Sequence, residues 1–217
     1  MRISLIGMAG SGKSYWSKKL AQHGFRRFCC DDLIAAKLSN SLVRSDGTKM
    51  EMGTWMGFPY EHQYKKREST YLTYEIEVLI EILGYLASHK NTHGENIVVD
   101  TTGSVIYTGE EFLQRLCRHT TVIYLLTPPE VQEQLLNAYI SKPHPMIWRN
   151  SFSKKSDETN QEALARCYPQ LLSAREQLYA RYADVEIDYY RQNETGFSVT
   201  DFLHIVQVEC KNMRLTH

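Results

Sequence analysis

Gly7-Met8-Ala9-Gly10-Ser11-Gly12-Lys13-Ser14 is the stretch on which the reading of this chain turns. It fits the spacing G-x-x-x-x-G-K-S/T, a loop that wraps the phosphates of a nucleotide. Glycines let the backbone curl around an anion with its N–H groups pointing inward. Lys13 reaches the β- and γ-phosphates as a point charge, and the Ser14 hydroxyl is suited to ligate the accompanying magnesium ion. The expected nucleotide contacts are therefore Gly7, Gly10, Ser11, Gly12, Lys13, Ser14 and the adjoining Tyr15. The flanks agree. Arg2–Ile6 is a short apolar strand, and residues 15–20 continue as a helix whose positive dipole end faces the loop. A turn without a ligand has no need of Lys-Ser in its last two positions.

The totals narrow the field. A length of 217 residues suits one domain spanning 1–217. Hydrophobic residues make up 42% and charged residues 23%, a globular balance that supports a core. Lys plus Arg (25) equals Asp plus Glu (25), so no general attraction draws the chain to nucleic acid or to an anionic membrane. Neither is expected as a partner. Five cysteines (Cys29, Cys30, Cys117, Cys167, Cys210) follow no zinc or redox spacing, which suggests a reducing compartment. Cys29 and Cys30 read as one inward and one outward residue of a strand. The eight histidines form no ligand set, and His89 and His93 read as surface residues at a helix end. No run is long enough for a transmembrane helix, and the apolar start leads into the loop without a cleavage-like region. The expected location is cytoplasmic.

Strands and helices alternate along the chain. Residues 25–30 read as a second strand ending at Asp31-Asp32, and 33–38 as a helix. Residues 39–60 are rich in loop signals. Residues 61–88 form a long helix, with Leu72, Ile76, Leu79, Ile80 and Leu83 as its apolar stripe. Residues 96–100 are a strand closed by Asp100, followed by the turn Thr101-Thr102-Gly103-Ser104. A helix at 110–117, a strand at 121–126, a helix to Ile140, a helix at 161–182, a strand at 185–187 and a helix at 200–208 complete the pattern. This alternation predicts a parallel sheet with helices on both faces and ligands at the carboxyl ends of its strands. The phosphate loop, Asp31, Asp32 and Asp100 fall at such ends. Residues 141–160 lack apolar periodicity and carry Lys142, Arg149, Lys154 and Lys155, which suits a lid. Trp55 and Trp148 are expected in the core.

With these motifs in place, the chain resembles the shikimate-kinase branch of the small P-loop kinases, related to the nucleotide and gluconate kinases. The loop has that branch's G-x-x-G-x-G-K-S form. Asp31 and Ile34 match the second Asp and the Ile of D-x-D-x-x-I, with Cys29 at the first Asp. Tyr64-Lys65-Lys66-Arg67-Glu68 stands on F-R-x-x-E. Thr102-Gly103-Ser104 keeps the middle residue of a triple glycine. Lys142-Pro143 stands on the Arg-Pro that opens the lid. Arg175-Glu176-Gln177-Leu178-Tyr179, then Ala183-Asp184, stands on R-x-P-L-Y and Ala-Asp.

The resemblance implies an α/β three-layer sandwich with about five parallel strands and a lid at 141–160. A substrate-binding segment would span 31–90. It also implies ATP and Mg2+ as cofactors, and a monomer or loose homodimer acting on a small hydroxylated acceptor. Lys13, Asp31 and Arg149 are the expected catalytic residues: Lys13 neutralises developing charge, Asp31 deprotonates or orients the acceptor hydroxyl, and Arg149, which matches no family motif, closes with Lys142 over the γ-phosphate as a lid charge. Asp31 or Asp32 also suits a helix N-cap. Asp31, Lys65, Gly103 and Arg175 are the expected acceptor contacts, and Arg191 an adenine contact; Ser14 is the expected metal contact, joined by Asp100, a departure from the branch whose strand-end position resembles the metal carboxylate of other P-loop enzymes and also suits a turn cap. Because the acceptor motifs depart from the family's, shikimate itself is not implied. A nucleoside or nucleotide kinase, and an ATP-binding regulatory module without transfer activity, stand as alternatives.

Overall fold

The computed structural model describes residues 1–88 and 94–215, so the expectation for His89 and His93 lies outside the described residues. The elements run β1 (Arg2–Ile6), α1 (Lys13–Gln22), β2 (Phe25–Cys29), α2 (Cys30–Lys37), a short α3 (Met52–Met56) and α4 (Tyr64–Ser88). They continue with β3 (Asn96–Asp100), α5 (Glu110–His119), β4 (Thr121–Leu125), α6 (Gln132–Ser141), α7 (Asn160–Tyr182), β5 (Val185–Ile187), a one-turn α8 (Tyr189–Gln192) and α9 (Val199–Leu215). The sheet order is β2-β3-β1-β4-β5, and every pairing is parallel.

Both faces of the sheet are covered, which is what a parallel sheet requires. Side chains alternate along each strand and sort into two cores. Ile3, Leu5, Val98, Ile123 and Leu125 face α1 and α9, where Trp16 stacks on Phe202 at 4.7 Å. Ile97, Val99, Val122 and Tyr124 face α2, α4, α5 and α7 on the other side. Register then places the chemistry. Leu5 pairs with Asp100, and Asp100 with Cys29, so β1, β2 and β3 end level with one another. The residues that follow these ends share one rim.

Three details differ from the sequence expectation. Strand β2 stops at Cys29, and helix α2 begins at Cys30 with Cys29 as its N-cap. Asp31 and Asp32 thus lie inside the first turn, where carboxylates favour the helix dipole, and neither caps the helix. Cys29 is half-buried and Cys30 buried, one closing a strand and the other opening a helix. The buried stripe of α4 runs through Tyr71, Leu72, Glu75, Val78, Leu79, Ile82, Leu83 and Leu86, while Ile80 is exposed. No described helix is long and apolar enough to cross a membrane.

Candidate active site

The phosphate loop follows β1 directly. Gly12 is the N-cap of α1 with φ 101° and makes no side-chain cap, so the first-turn N–H groups point out of the helix without a side-chain acceptor. A Cβ at Gly12 would sit 2.8 Å from Gln192 Oε1, and one at Gly10 (φ 85°) 2.5 Å from Leu135 Cδ2. The left-handed backbone angle is what calls for glycine at both, since the close atoms are the ends of flexible side chains. Ser11 is buried and its hydroxyl has no partner. Buried polar atoms are ordinarily satisfied, so an orphaned hydroxyl inside an anion-shaped loop fits a missing phosphate oxygen. Lys13 is buried and donates to the carbonyls of Gly7 (2.7 Å) and Met8 (2.8 Å). Burial pulls its pKa down to about 8, with Asp100 and Asp31 pulling back upward. A phosphate would restore full charge to this ammonium.

A cleft of about 420 Å³ lies against the loop. Its walls include Gly10, Gly12, Lys13, Ser14 and Tyr15 on one side and Asp31, Tyr71, Gly103, His144 and Pro145 on the other. Asp31 accepts a hydrogen bond from the Tyr71 hydroxyl (3.1 Å). Burial pushes its pKa above the usual carboxylate value, while Lys13 and Tyr71 lower it. The result is an acidic side chain anchored by Tyr71 in the cleft that Lys13 also lines.

Beneath this cleft is a network that the sequence motifs do not reveal. Glu75, on the buried stripe of α4, accepts from Thr102 Oγ1 and from Ser104 Oγ (2.8 Å). Burial raises its pKa to about 8. These bonds fix the turn around Gly103, whose Cα packs so that an added Cβ would lie 3.4 Å from Ala9 N. Arg175 is 2% exposed. It donates to the carbonyls of Gly103 (3.2 Å) and Ile147, and Tyr179 also donates to Gly103 O. Arg175 Nε, buried, has no partner.

Residues 143–148 roof the cleft as packed core. Met146, Ile147 and Trp148 are fully buried. The Tyr64 hydroxyl lies 2.7 Å from Met146 O and accepts from Trp148 N (2.9 Å). Glu68 accepts from Arg149 N (2.8 Å), and the Trp148 indole donates to Tyr139 (3.3 Å). Arg175 holds Ile147, as above. The Tyr64-to-Glu68 motif thus anchors the roof. Lys142 and Arg149 stay exposed. Arg149 takes a left-handed φ of 52°, and its guanidinium lies 5.9 Å from the Tyr107 ring. Neither lines the cleft, and neither does Lys65, which is exposed on α4. Asp184, of the Ala-Asp pair, accepts from Val122 N (2.7 Å) and so ties the end of α7 to β4.

On the far side of the loop a second cleft is lined by Gly10, Ser11, Gly12, Tyr15, Trp16, Tyr189, Gln192, Asn193 and Phe197 among others. The two clefts share Gly10, Gly12 and Tyr15. Gln192, buried, accepts from Trp16 Nε1 (2.9 Å) and donates to Ser11 O (3.1 Å), locking the loop to α8. Its neighbour Arg191 is exposed, pairs with Glu194 at 2.6 Å and does not line this cleft. A sequence pattern gives no sign that Gln192 rather than Arg191 turns inward; the one-turn α8, capped by Asp188, decides it.

The metal expectation divides. Ser14 is exposed and lines the first cleft, so its hydroxyl is open to a cation. Asp100 is buried, and its Oδ2 accepts from Arg27 (2.7 Å) and Ser17 (2.8 Å). Arg27 also approaches Asp32 at 3.6 Å. One oxygen of Asp100 is therefore committed to a cation already. Among the described residues no group of three His, Cys, Asp or Glu is arranged to hold a metal by itself. The donors fit an ion that arrives with the phosphates and is held by Ser14 and the nucleotide.

With this geometry in view, the comparisons with known proteins are consistent. The structure is similar to the shikimate kinase of Acinetobacter baumannii in complex with shikimate: TM-score 0.61, 24% identity, over 97% of this chain and 93% of that one. It is similar to the Aquifex aeolicus shikimate kinase: TM-score 0.58, 19% identity, over the whole of both chains. A dephospho-CoA kinase from Campylobacter jejuni matches at TM-score 0.52 and 13% identity, over 100% of this chain and 98% of that one. No protein-family profile and no curated protein sequence matches the chain. The fold is that of the small P-loop kinases, with the five-stranded parallel sheet expected of them.

Proposed function

We propose that the protein is an ATP-dependent phosphotransferase that moves the γ-phosphoryl group, with magnesium, to a hydroxyl of a small metabolite. One observation carries this reading. A phosphate-loop lysine and an oriented carboxylate, Lys13 and Asp31, line the same cleft, which continues across the loop into a second cleft. Two molecules can thus meet at the phosphates from opposite sides.

The residues divide the work. The second cleft, with Tyr15, Trp16 and Phe197, suits the base and sugar of the nucleotide. The loop N–H groups, Ser11 Oγ and Lys13 hold the phosphates, and Ser14 holds the metal. When bound, magnesium offsets negative charge on the phosphate oxygens. Lys13 supplies a positive charge where negative charge develops during transfer. Asp31, steadied by Tyr71, orients the acceptor hydroxyl and accepts its proton. The roof of residues 143–148 keeps water from competing as the acceptor.

The test uses ATP labelled at the γ-phosphate and a mixed pool of small metabolites. Wild-type protein should place the label on an organic product, and Lys13→Ala should lose at least about 10²-fold of that transfer, the scale of one lost charge-stabilising group. Label released only as inorganic phosphate would overturn the reading.

A further inference from the structure

The charges around the acceptor cleft are few and one-sided. Among the described residues that line it, only Lys13 and Asp31 are of charged type. Lys13 belongs to the phosphate loop and is needed by the nucleotide. The other cations nearby do not reach in. Arg175 lies behind Gly103, occupied by the Gly103 and Ile147 carbonyls. Lys65, Lys142 and Arg149 are exposed outside the cleft, and Arg67, half-buried on α4, does not line it. His144 does line it, but burial, with the Lys13 and Arg175 charges, lowers its pKa to about 4, so the imidazole is neutral at pH 7. Its buried Nε2 has no partner. Glu75, beneath the floor, brings no cation either: burial raises its pKa to about 8, so it is mostly protonated at pH 7.

A carboxylate or phosphate on the acceptor would be desolvated opposite Asp31 with no cation of its own, an unfavourable burial of like charges. An uncharged alcohol meets a different set of partners. Asp31 offers a hydrogen bond, while Met52, Tyr71 and Pro145 offer apolar walls. An ammonium group would find Asp31 as its counter-ion. Resting on the phosphotransferase reading above, we propose that the acceptor is an uncharged or cationic alcohol, such as a sugar, nucleoside or amino alcohol, and not an acid or a phosphate ester. The arginine that would grip an anion does not line the cleft: Arg175 is buried behind Gly103, with both terminal nitrogens on the chain's own carbonyls.

The experiment separates acceptors by charge. A metabolite extract is passed over an anion exchanger at pH 7, and both fractions are assayed for Lys13-dependent transfer from γ-labelled ATP. The flow-through, holding uncharged and cationic compounds, should support transfer at least tenfold above the retained fraction. Transfer supported by the retained fraction would overturn the proposal while leaving the phosphotransferase reading intact. Transfer supported by neither, with ATP still bound, would overturn that reading and this proposal with it. A second variant probes the same charge logic. Met52→Arg places a cation on the half-buried cleft wall, and should weaken cationic acceptors and raise use of the retained fraction tenfold or more. An unchanged preference in a folded Met52→Arg protein would count against the proposal.

Discussion

Glu75 is a carboxylate on a helix face that otherwise buries Tyr71, Leu72, Val78 and Leu79. Counting apolar residues at helical spacing finds the face but passes over the one acid on it, because its partners, Thr102 and Ser104, are 27 and 29 residues away in sequence. The strand, glycine loop and helix around Gly7-to-Ser14 were legible at once, since their signal is local and contiguous. Asp31 was legible as a strand-end carboxylate, while its place within the first turn of α2 and its bond from Tyr71 were not. Glu75 also makes a testable claim. Its pKa in the folded protein, about 8, is raised above the 4.5 of a free carboxyl, chiefly by burial. The native state therefore holds the proton more tightly than the unfolded state. The associated stability is fully present below pH 4.5 and is lost as pH rises through about 8. Glu75→Gln, permanently neutral, should melt higher than wild type at pH 8 and show no such advantage at pH 4.5. Each kcal/mol corresponds to about 2–4 °C in a chain of this size. An equal difference at both pH values, measured by thermal denaturation, would show that Glu75 is not protonated in the fold.

At the scale of elements, the largest change from expectation concerns residues 141–160. Their lack of periodicity and their basic charge suggested a lid over the phosphates. Instead residues 143–148 form a roof held by Tyr64, Glu68, Tyr139 and Arg175, with Trp148 fully buried. Irregular backbone can be buried when its polar groups find side-chain partners, and these partners come from three separate helices. Such long-range satisfaction leaves no trace in local pattern. Contact with α3 is equally close. A Cβ at Gly53 would fall 1.8 Å from Pro143 O, against backbone that cannot move aside as a side chain can. Gly53→Ala should therefore destabilise the protein by about 1–3 kcal/mol, the usual scale of overpacking. Urea denaturation measures this directly, and an unchanged midpoint would mean that the roof stands further from α3.

For the whole molecule, alternation of strand and helix was enough to predict the parallel sheet, and the strand order supplies what the alternation could not. β1 lies at the centre between β3 and β4, so the loop after it opens onto both clefts. The motif residues at the ends of β1, β2 and β3 meet because Leu5, Asp100 and Cys29 are in register. Charge at the cleft is likewise a property of the assembled fold: the chain has 25 basic residues, yet among the described residues Lys13 is the one lysine or arginine on the cleft wall. Since α1, α8 and the sheet are joined through the loop by Gln192, nucleotide binding should stabilise the entire fold. Magnesium–ATP at about 100 times its dissociation constant should add about 2.7 kcal/mol. That corresponds to a rise of roughly 5–10 °C in Tm. Lys13→Ala should lose most of that rise, whereas an equal rise in the variant would place ATP elsewhere.

The most direct test of the account is the single substitution Asp31→Asn, which keeps the shape of the cleft and removes the base. Titration calorimetry of magnesium–ATP and transfer of label to the acceptor would be measured on the same preparation. Nucleotide affinity should stay within about threefold of wild type, with transfer reduced by about 10²-fold or more, the usual contribution of a general base. Transfer at the wild-type rate by Asp31→Asn would contradict the account.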